Sequence, residues 1–177
     1  MSYGVVTNGV FEDECQAWAH FDQIVERCDA FRMYKEVRGE YLQPRPYTGD
    51  RAARIDRMLI PTQKAIEAGW LHGAIGVECK KSGTKVGPVI SQAMDYSRCV
   101  WELDSGFLIV LRWVFIWPME NPHRELESIM AQNRIGYVMA WRNELTFGCG
   151  GTNGIVIRED GSATIKKLPM GNKRGSR

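Results

Sequence analysis

Apolar positions recur along this chain at two spacings, one helical and one extended, and they divide it into alternating elements. A helical stripe predicts a first helix over residues 10–30, with Thr7 or Asn8 as its N-cap. Glu14 and Asp22 fall at the edge of this stripe, whose members are Phe11, Cys15, Trp18, Val25 and Cys28. Strand-like alternation predicts three strands at 31–44, 53–61 and 73–80. The segment "TQKAIEAGW" joins the second strand to the third as a short helical or irregular connection.

The second half of the chain continues the alternation. Pro88 in a first helical turn predicts a helix over 88–103, and the apolar run 106–117 predicts a long core strand. A helix near 122–133, a strand at 136–141 and a terminal hairpin turning at Asp160-Gly161 complete the prediction. The order predicts an α/β fold: a mixed central sheet flanked by helices, α-β-β-β-α-β, with a C-terminal α-β and hairpin extension. We expect one domain over 1–170 and a basic, disordered tail over 171–177.

The composition indicates the cellular compartment of the protein and limits its possible binding partners. The net charge is only +2, so contact with nucleic acid would need local clusters of basic residues. Five cysteines show no CxxC pair or metal-ligand spacing, which predicts reduced thiols in the cytoplasm. The chain shows no signal-peptide pattern, and its most apolar run is too short to span a membrane and is interrupted by Arg112.

An acid and a base stand together where the third predicted strand ends, in "GVECKK". The period of two places Glu78 and Lys80 on one face of that strand and Val77 and Cys79 on the other. This triplet alone is a weak signal, because an ion pair at a sheet edge would give the same pattern. Asp56 on the preceding strand, in the apolar setting "RIDRMLI", is costly unless it is paired or binds a cation.

Asp56 and Glu78 on neighbouring strands can converge on one divalent cation through hard oxygen ligands, and the backbone carbonyl of Cys79 can add another. Asp56 could instead pair with Arg54 or Arg57. Gln92 and Tyr96, four residues apart, share a face of the following helix and can point to the same strand end. Glu14 at the edge of the first helix's stripe could face the same pocket, or could be a solvated residue near a helix N-terminus.

Asp56, the Glu78-Cys79-Lys80 triplet and the Gln92…Tyr96 helix resemble the PD-(D/E)XK nuclease superfamily, and the QxxxY spacing is similar to its RecB-like branch. The resemblance covers about residues 10–117. It departs from the family pattern at Ile55, which precedes Asp56 in place of proline. Glu78 also comes 22 residues after Asp56, which requires an elaborated connection between the two strands.

The resemblance implies a restriction-endonuclease-like core and a catalytic set of Asp56, Glu78, Lys80, Gln92, Tyr96 and Glu14. Asp56, Glu78, the Cys79 carbonyl and Glu14 would hold Mg²⁺, for which Mn²⁺ could substitute. Lys80 would orient or help to deprotonate the attacking water, while Gln92 and Tyr96 would bind phosphates or support the metal ligands. DNA is the implied substrate, and a homodimer is an expectation from the same resemblance.

Basic residues near the predicted site favour a phosphate backbone as partner. They are Arg54, Arg57, Lys81, Lys85 and Arg98, with a second basic patch formed by Lys166, Lys167, Lys173, Arg174 and Arg177. No zinc finger, recognition-helix signature or P-loop is present in the sequence, which favours structure- or end-dependent cleavage over sequence-specific cleavage.

We therefore expect a Mg²⁺-dependent DNA nuclease acting in recombination, repair or DNA processing, with a phage or mobile element as one possible source. Two activities stay open, a RecB-like exonuclease and a Holliday-junction-resolvase-like dimeric endonuclease. A non-catalytic DNA-binding or inhibitory protein on the same fold is the alternative of another class. An unrelated α/β binding protein with an ion pair at a sheet edge is a further alternative.

Overall fold

The described strands join into one ten-stranded mixed sheet with four helices, in an α/β arrangement. The computed structural model describes residues 11, 13–80, 84–119, 122–141, 143–166 and 168. The helices are α1 (Glu14–Val25), α2 (Gln63–Glu67), α3 (Val86–Tyr96) and α4 (Arg124–Gln132). The strands are β1 (Phe31–Tyr41), β2 (Ala52–Pro61), β3 (Ile75–Cys79), β4 (Cys99–Glu102), β5 (Leu108–Ile109), β6 (Trp113–Trp117), β7 (Ile135–Trp141), β8 (Glu144–Cys149), β9 (Thr152–Arg158) and β10 (Ala163–Ile165).

The strand order is β10-β9-β8-β7-β6-β3-β2-β1-β4-β5. Strand β3 is parallel to β6 and antiparallel to β2, and β6 is parallel to β7; the remaining neighbours are antiparallel. The carboxyl ends of β3, β6 and β7 therefore lie at the same end of the sheet. The sheet is larger than the expected core because β7–β10 extend it beyond β6.

Two apolar layers cover the two faces of the sheet. Helix α1 packs through Phe21 against Trp117 and Phe147 on one face. Helices α3 and α4 cover the other face in a cluster that contains Tyr96, Trp101, Ile116, Met130 and Tyr137. No helix among the described residues is long and apolar enough to cross a membrane.

Strand β3 follows the predicted alternation of faces. Ile75, Val77 and Cys79 belong to the α1 layer, so Gly76 and Glu78 point to the α3 layer. Gly76 leaves no space for a side chain, since an added Cβ would collide with Ile55 and would lie 2.7 Å from Leu111 Cδ1. Glycine at this position therefore lets β2 and the Leu111 side chain close over β3.

Several predicted boundaries are wrong. Helix α1 begins at Glu14 rather than near residue 10, because the Asp13 side chain accepts a hydrogen bond from Gln16 N at 2.8 Å and caps it. The proposed caps Thr7 and Asn8 lie outside the described residues. Cys15 is exposed rather than part of the apolar stripe, and the buried face of α1 is Ala17, Phe21, Ile24 and Val25. The other four cysteines are buried, and all five are free thiols.

The predicted helix over 88–103 is wrong in its second half. Helix α3 ends at Tyr96, and residues Cys99–Glu102 form β4, paired with β1 at Gly39–Tyr41. The predicted strand 106–117 is two strands, β5 and β6, that pair with different neighbours. The sequence does not predict β8 as a strand, whereas it does predict the hairpin at Asp160-Gly161, which β9 and β10 form. The tail over 171–177 lies outside the described residues.

Candidate active site

The Glu78–Lys80 segment lies in the interior of the sheet. Strand β3 is sixth in the ten-strand order, and all five of its residues are buried. Lys80 N donates to Trp117 O at 2.8 Å, which continues the β3–β6 pairing one residue past the strand. Lys80 and Glu78 do form an ion pair, but the alternative that places this pair at an exposed sheet edge is wrong, because β3 is flanked by β2 and β6.

Strands β2 and β3 separate at the position of the two carboxylates. Their backbone pairing ends at Arg57 opposite Val77, and the same register continued by one residue sets Asp56 opposite Glu78. Beyond this point the Asp56 side chain replaces the backbone as the partner of β3: its Oδ2 accepts a hydrogen bond from Cys79 N at 2.9 Å. The elaborated connection required by the sequence contains α2, and it returns the chain so that Asp56 and Glu78 meet.

The two oxygens of Glu78 have different surroundings. Oε1 accepts hydrogen bonds from Lys80 Nζ at 2.7 Å and from Gln92 Nε2 at 3.0 Å. Oε2 is buried and finds no hydrogen-bond partner among the described residues. A buried carboxylate oxygen without a donor is unfavourable, and a cation or a donor group of a bound molecule would satisfy it.

Burial raises the pKa of Glu78, and the nearby negative charge of Asp56 raises it further. The hydrogen bond and charge of Lys80 oppose this rise, and so does the Tyr96 hydroxyl beside the carboxylate. Lys80 thus compensates part of the cost of holding two carboxylates together.

Helix α3 supplies the support behind Glu78. Gln92 and Tyr96 lie on one face, as their spacing predicts, and Gln92 Nε2 donates to the Tyr96 hydroxyl at 2.6 Å as well as to Glu78. Tyr96 is buried, and its ring contacts Trp101 at a centroid distance of 5.4 Å. Burial and the Glu78 charge raise the pKa of Tyr96, so its hydroxyl stays protonated at neutral pH.

Glu14 lies on the same side of the sheet end as Cys79. Burial raises the pKa of the Cys79 thiol to about 12, and the Glu14 charge adds to that rise ahead of Asp56 and Glu78. Glu14 itself is exposed in the first turn of α1. Among the described residues, no group of three or more His, Cys, Asp or Glu side chains is placed to hold a metal ion. The carboxylates brought together at the end of β3 are Asp56 and Glu78.

The predicted basic residues have unequal access to solvent. Arg54 and Arg98 are exposed and pair with Glu36 and Asp95, and Lys85 is exposed at the start of α3. Arg57 is different: only 9% of its side chain is accessible. Lys81, Lys167, Lys173, Arg174 and Arg177 lie outside the described residues, and Lys166 follows β10.

Arg57 belongs to a polar cluster beneath the site that the sequence did not reveal. Its Nε and terminal nitrogen bind the two oxygens of Asp22 at 2.8 and 2.9 Å, and its guanidinium lies 4.2 Å from the Trp18 ring centre. Another nitrogen donates to Asp56 O at 2.8 Å, so the cluster joins α1 to the backbone of a candidate site residue. The one signal in the sequence was Asp22 at the edge of the α1 stripe.

An open cleft of about 730 Å³ lies away from these residues, at the ends of β7–β10 and α1. It is lined by Arg27, Trp141, Asn143, Glu144, Arg158, Glu159 and Asp160. None of the candidate site residues contributes to it.

Comparison with known proteins gives no assignment: no family model, no curated protein and no solved structure matches this chain.

Proposed function

We propose that this chain is a divalent-cation-dependent deoxyribonuclease with a restriction-endonuclease-like core. One observation carries the proposal. Glu78 is buried at the end of a central strand, opposite Asp56, with one oxygen held by Lys80 and Gln92 and the other without a donor. A chain that needed only a structural ion pair would gain nothing from leaving that oxygen unsatisfied.

The donor set fits a small, hard cation. Carboxylate and carbonyl oxygens are the ligands that Mg²⁺ and Mn²⁺ prefer, and the unpartnered Oε2 of Glu78 supplies one such oxygen. Asp56, Glu78 and the Cys79 carbonyl would hold the cation. Glu14 belongs to α1, on the face of the sheet opposite Glu78, so its role as a ligand stays a sequence prediction. A bound Mg²⁺ would polarise the scissile phosphate and lower the pKa of a water molecule.

The remaining roles belong to side chains of this chain. Lys80, already hydrogen-bonded to Glu78, would orient the attacking water and offset the charge that develops on the phosphate. Gln92 would fix the Glu78 carboxylate, and Tyr96 would hold the Gln92 amide in turn. Water adds to phosphorus as the bond to the 3′ oxygen breaks, leaving a 5′-phosphate and a 3′-hydroxyl.

The exposed cations support DNA as substrate. Arg54, Lys85 and Arg98 are accessible, and Lys85 begins the helix that carries Gln92 and Tyr96. Their contacts with phosphates would be salt-sensitive. The Arg57 guanidinium already binds the Asp22 carboxylate and the Asp56 carbonyl. We therefore assign Arg57 to positioning the Asp56 backbone. Its contact with phosphate stays a sequence prediction.

A non-catalytic DNA-binding or inhibitory protein on the same fold is the second candidate. It is favoured by the Lys80–Glu78 contact of 2.7 Å, because this ion pair offsets the carboxylate charge without a cation. The two candidates differ in whether DNA is cut.

The deciding experiment is a cleavage panel. The purified chain is incubated with Mg²⁺ or Mn²⁺ and labelled linear duplex, closed circle, single strand, flap and four-way junction, alongside Asp56→Ala and Lys80→Ala. We expect wild type to cut at least one substrate and both variants to lose that activity. Digestion of linear but not circular DNA identifies an exonuclease acting in DNA processing. Paired nicks in the junction identify a resolvase-like endonuclease acting in recombination.

Two results would contradict the proposal. Binding without cleavage of any substrate would favour the non-catalytic candidate. Cleavage that survives both substitutions would place the active site elsewhere.

A further inference from the structure

The turn between β1 and β2 presents an aromatic side chain to solvent on a hydrogen-bonded loop. Tyr47 is 99% exposed, and its side chain makes no hydrogen bond or ring contact within the described part of the chain. The loop is closed, because Gly49 N donates to Arg45 O at 2.9 Å and Arg45 N donates to Asp50 O at 3.0 Å. The ring is thus held in water by its backbone, with both faces free to stack on a flat ligand.

Positive charge is concentrated in the same hairpin. Residues 31–61 carry seven basic and four acidic side chains, which gives a net charge of +3, whereas the whole chain has a net charge of only +2. The rest of the chain is therefore slightly negative. A local excess of positive charge attracts polyanions, so charge favours a nucleic acid over a neutral partner at this hairpin.

Arg51 provides a cation at the base of the loop. Tyr41 N donates to Arg51 O at 2.8 Å, which continues the β1–β2 register by one residue and sets Arg51 opposite Tyr41. Tyr41 belongs to the α3 layer, so Arg51 lies on the face of the sheet that carries Glu78. Arg51 is exposed and forms no ion pair with a described residue, so its guanidinium is available to a phosphate.

The end of α3 anchors the loop near the candidate site. Leu42 N donates to Arg98 O at 3.0 Å, so the exposed Arg98 lies beside the loop. Asp95 is shared between Arg45 at 3.7 Å and Arg98 at 3.9 Å, which leaves this group with more positive than negative charge. Gln92 is three residues before Asp95, or about 4.5 Å along the helix axis. The loop is therefore joined to α3 within one helical turn of the candidate site.

We propose that Tyr47 stacks on an unpaired base of a DNA substrate while Arg51 and Arg98 bind phosphates of the same strand. Aromatic side chains stack on any base whose face is accessible, and an intact duplex offers such a face only at its ends. The substrate class is therefore DNA with a single-stranded tail, flap or branch. This inference rests on the proposed function, because it names the substrate of the site at the end of β3.

The spacing between Tyr47 and Gln92 suits such a substrate. Tyr47 is two residues from Arg45, whose ion pair with Asp95 anchors the loop on α3. Adding these short steps places the Tyr47 ring within about 20 Å of Gln92. This distance corresponds to about six nucleotides at roughly 3.4 Å each. The stacked base would thus lie within a few nucleotides of the cleaved bond.

Fluorescence anisotropy in EDTA tests the contact with Tyr47 without cleavage. The probes are labelled duplexes with a 5′ or a 3′ single-stranded tail and a blunt duplex of the same sequence. We expect wild type to bind at least one tailed duplex about tenfold more tightly than the blunt one. Tyr47→Ala is expected to lose that preference, whereas Tyr47→Phe keeps the ring and is expected to retain it. Trp141→Ala is the matched control, because Trp141 is a 64% exposed aromatic residue on β7, four strands from β1.

Salt dependence tests the phosphate contacts. Arg51→Gln is expected to weaken binding of every probe and to reduce the slope of log affinity against log salt concentration by about 0.7–0.9. Arg158→Gln is the matched control, since Arg158 has a 43% exposed side chain on β9 and pairs with Glu144. We expect this control to leave the slope unchanged. An unchanged slope in Arg51→Gln would overturn the phosphate contact.

Two binding results would overturn the contact at Tyr47. They are equal affinity of wild type for tailed and blunt duplexes, and a Tyr47→Ala variant that folds with the wild-type melting temperature and keeps the preference. A chain that cuts DNA without any dependence on Tyr47 would reject this inference alone. A chain that binds tailed DNA through Tyr47 but cuts no substrate would reject the proposed catalysis alone.

Discussion

Replacing Glu78 with Gln is expected to reduce Mg²⁺-dependent DNA cleavage by at least about a thousandfold. The substitution keeps the shape of the side chain but removes the negative charge that faces Asp56. It also exchanges an oxygen ligand for an amide, so the cation loses a carboxylate. The measurement is single-turnover cleavage of the best substrate from the panel, with saturating enzyme.

The same variant is expected to fold at least as well as wild type in the absence of metal. The raised pKa of Glu78 comes first from burial and then from the Asp56 charge, and a neutral amide is subject to neither. Glu144→Gln is the matched control, because Glu144 lies on β8 and pairs with Arg158 away from the site. We expect it to preserve cleavage. An active Glu78→Gln variant would show that the carboxylate does not serve the reaction.

Replacing Arg57 with Met is expected to lower the free energy of unfolding by about 3 kcal/mol or more, because a buried ion pair loses one partner. The guanidinium binds both oxygens of Asp22 and covers the Trp18 ring, and only 9% of the side chain is exposed. Arg54→Met is the matched control. Arg54 has a 67% exposed side chain and pairs with Glu36 at the surface, so its loss is expected to cost less than about 1 kcal/mol.

Urea unfolding at several pH values measures both variants. Burial alone would raise the pKa of Asp22, but the hydrogen bonds from Arg57 and Lys35 outweigh it and lower the pKa below its ordinary value. A lowered pKa stabilises the folded chain fully above about pH 4, the unfolded value, and the stabilisation is lost as the pH falls through the folded value. The difference between wild type and Arg57→Met should therefore shrink in acid. Equal losses in the two variants, or a difference independent of pH, would contradict this role.

The sequence predicted the parts of the fold that depend on local periodicity. Strands β1, β2 and β3 and helix α4 lie within a few residues of their predicted positions. The errors occur where a segment's secondary structure depends on pairing with a strand that is distant in the sequence. The apolar spacing of α3 continues past Tyr96 to Val100, yet Cys99–Glu102 is a strand because β1 offers an edge there. Gly39 in β1 permits this pairing, since an added Cβ would lie 2.6 Å from the Trp101 ring.

The candidate site shows the same division. Asp56 opposite Glu78 follows from two neighbouring strands and could be predicted from their alternation. The contact between Gln92 and Tyr96 follows from helical spacing. The Asp22–Arg57 pair could not be predicted, because it depends on how α1 packs on the sheet, and 35 residues separate the two side chains. The sequence predicts Arg57 as a phosphate contact, because the sequence alone does not show that this side chain is buried.

We expect Asp56 and Glu78 to bind a divalent cation together, and this binding would distinguish a catalytic site from a buried ion pair. The most direct test is the melting temperature of the DNA-free chain as Mg²⁺ is added, for wild type, Asp56→Asn and Glu78→Gln. A cation that binds only the folded chain adds about 2.7 kcal/mol at a hundred times its dissociation constant, or roughly 5–10 °C for a chain of this length. We predict this saturable rise in wild type and a rise below about 1 °C in both variants. No rise in wild type, or an equal rise in all three proteins, would contradict the claim.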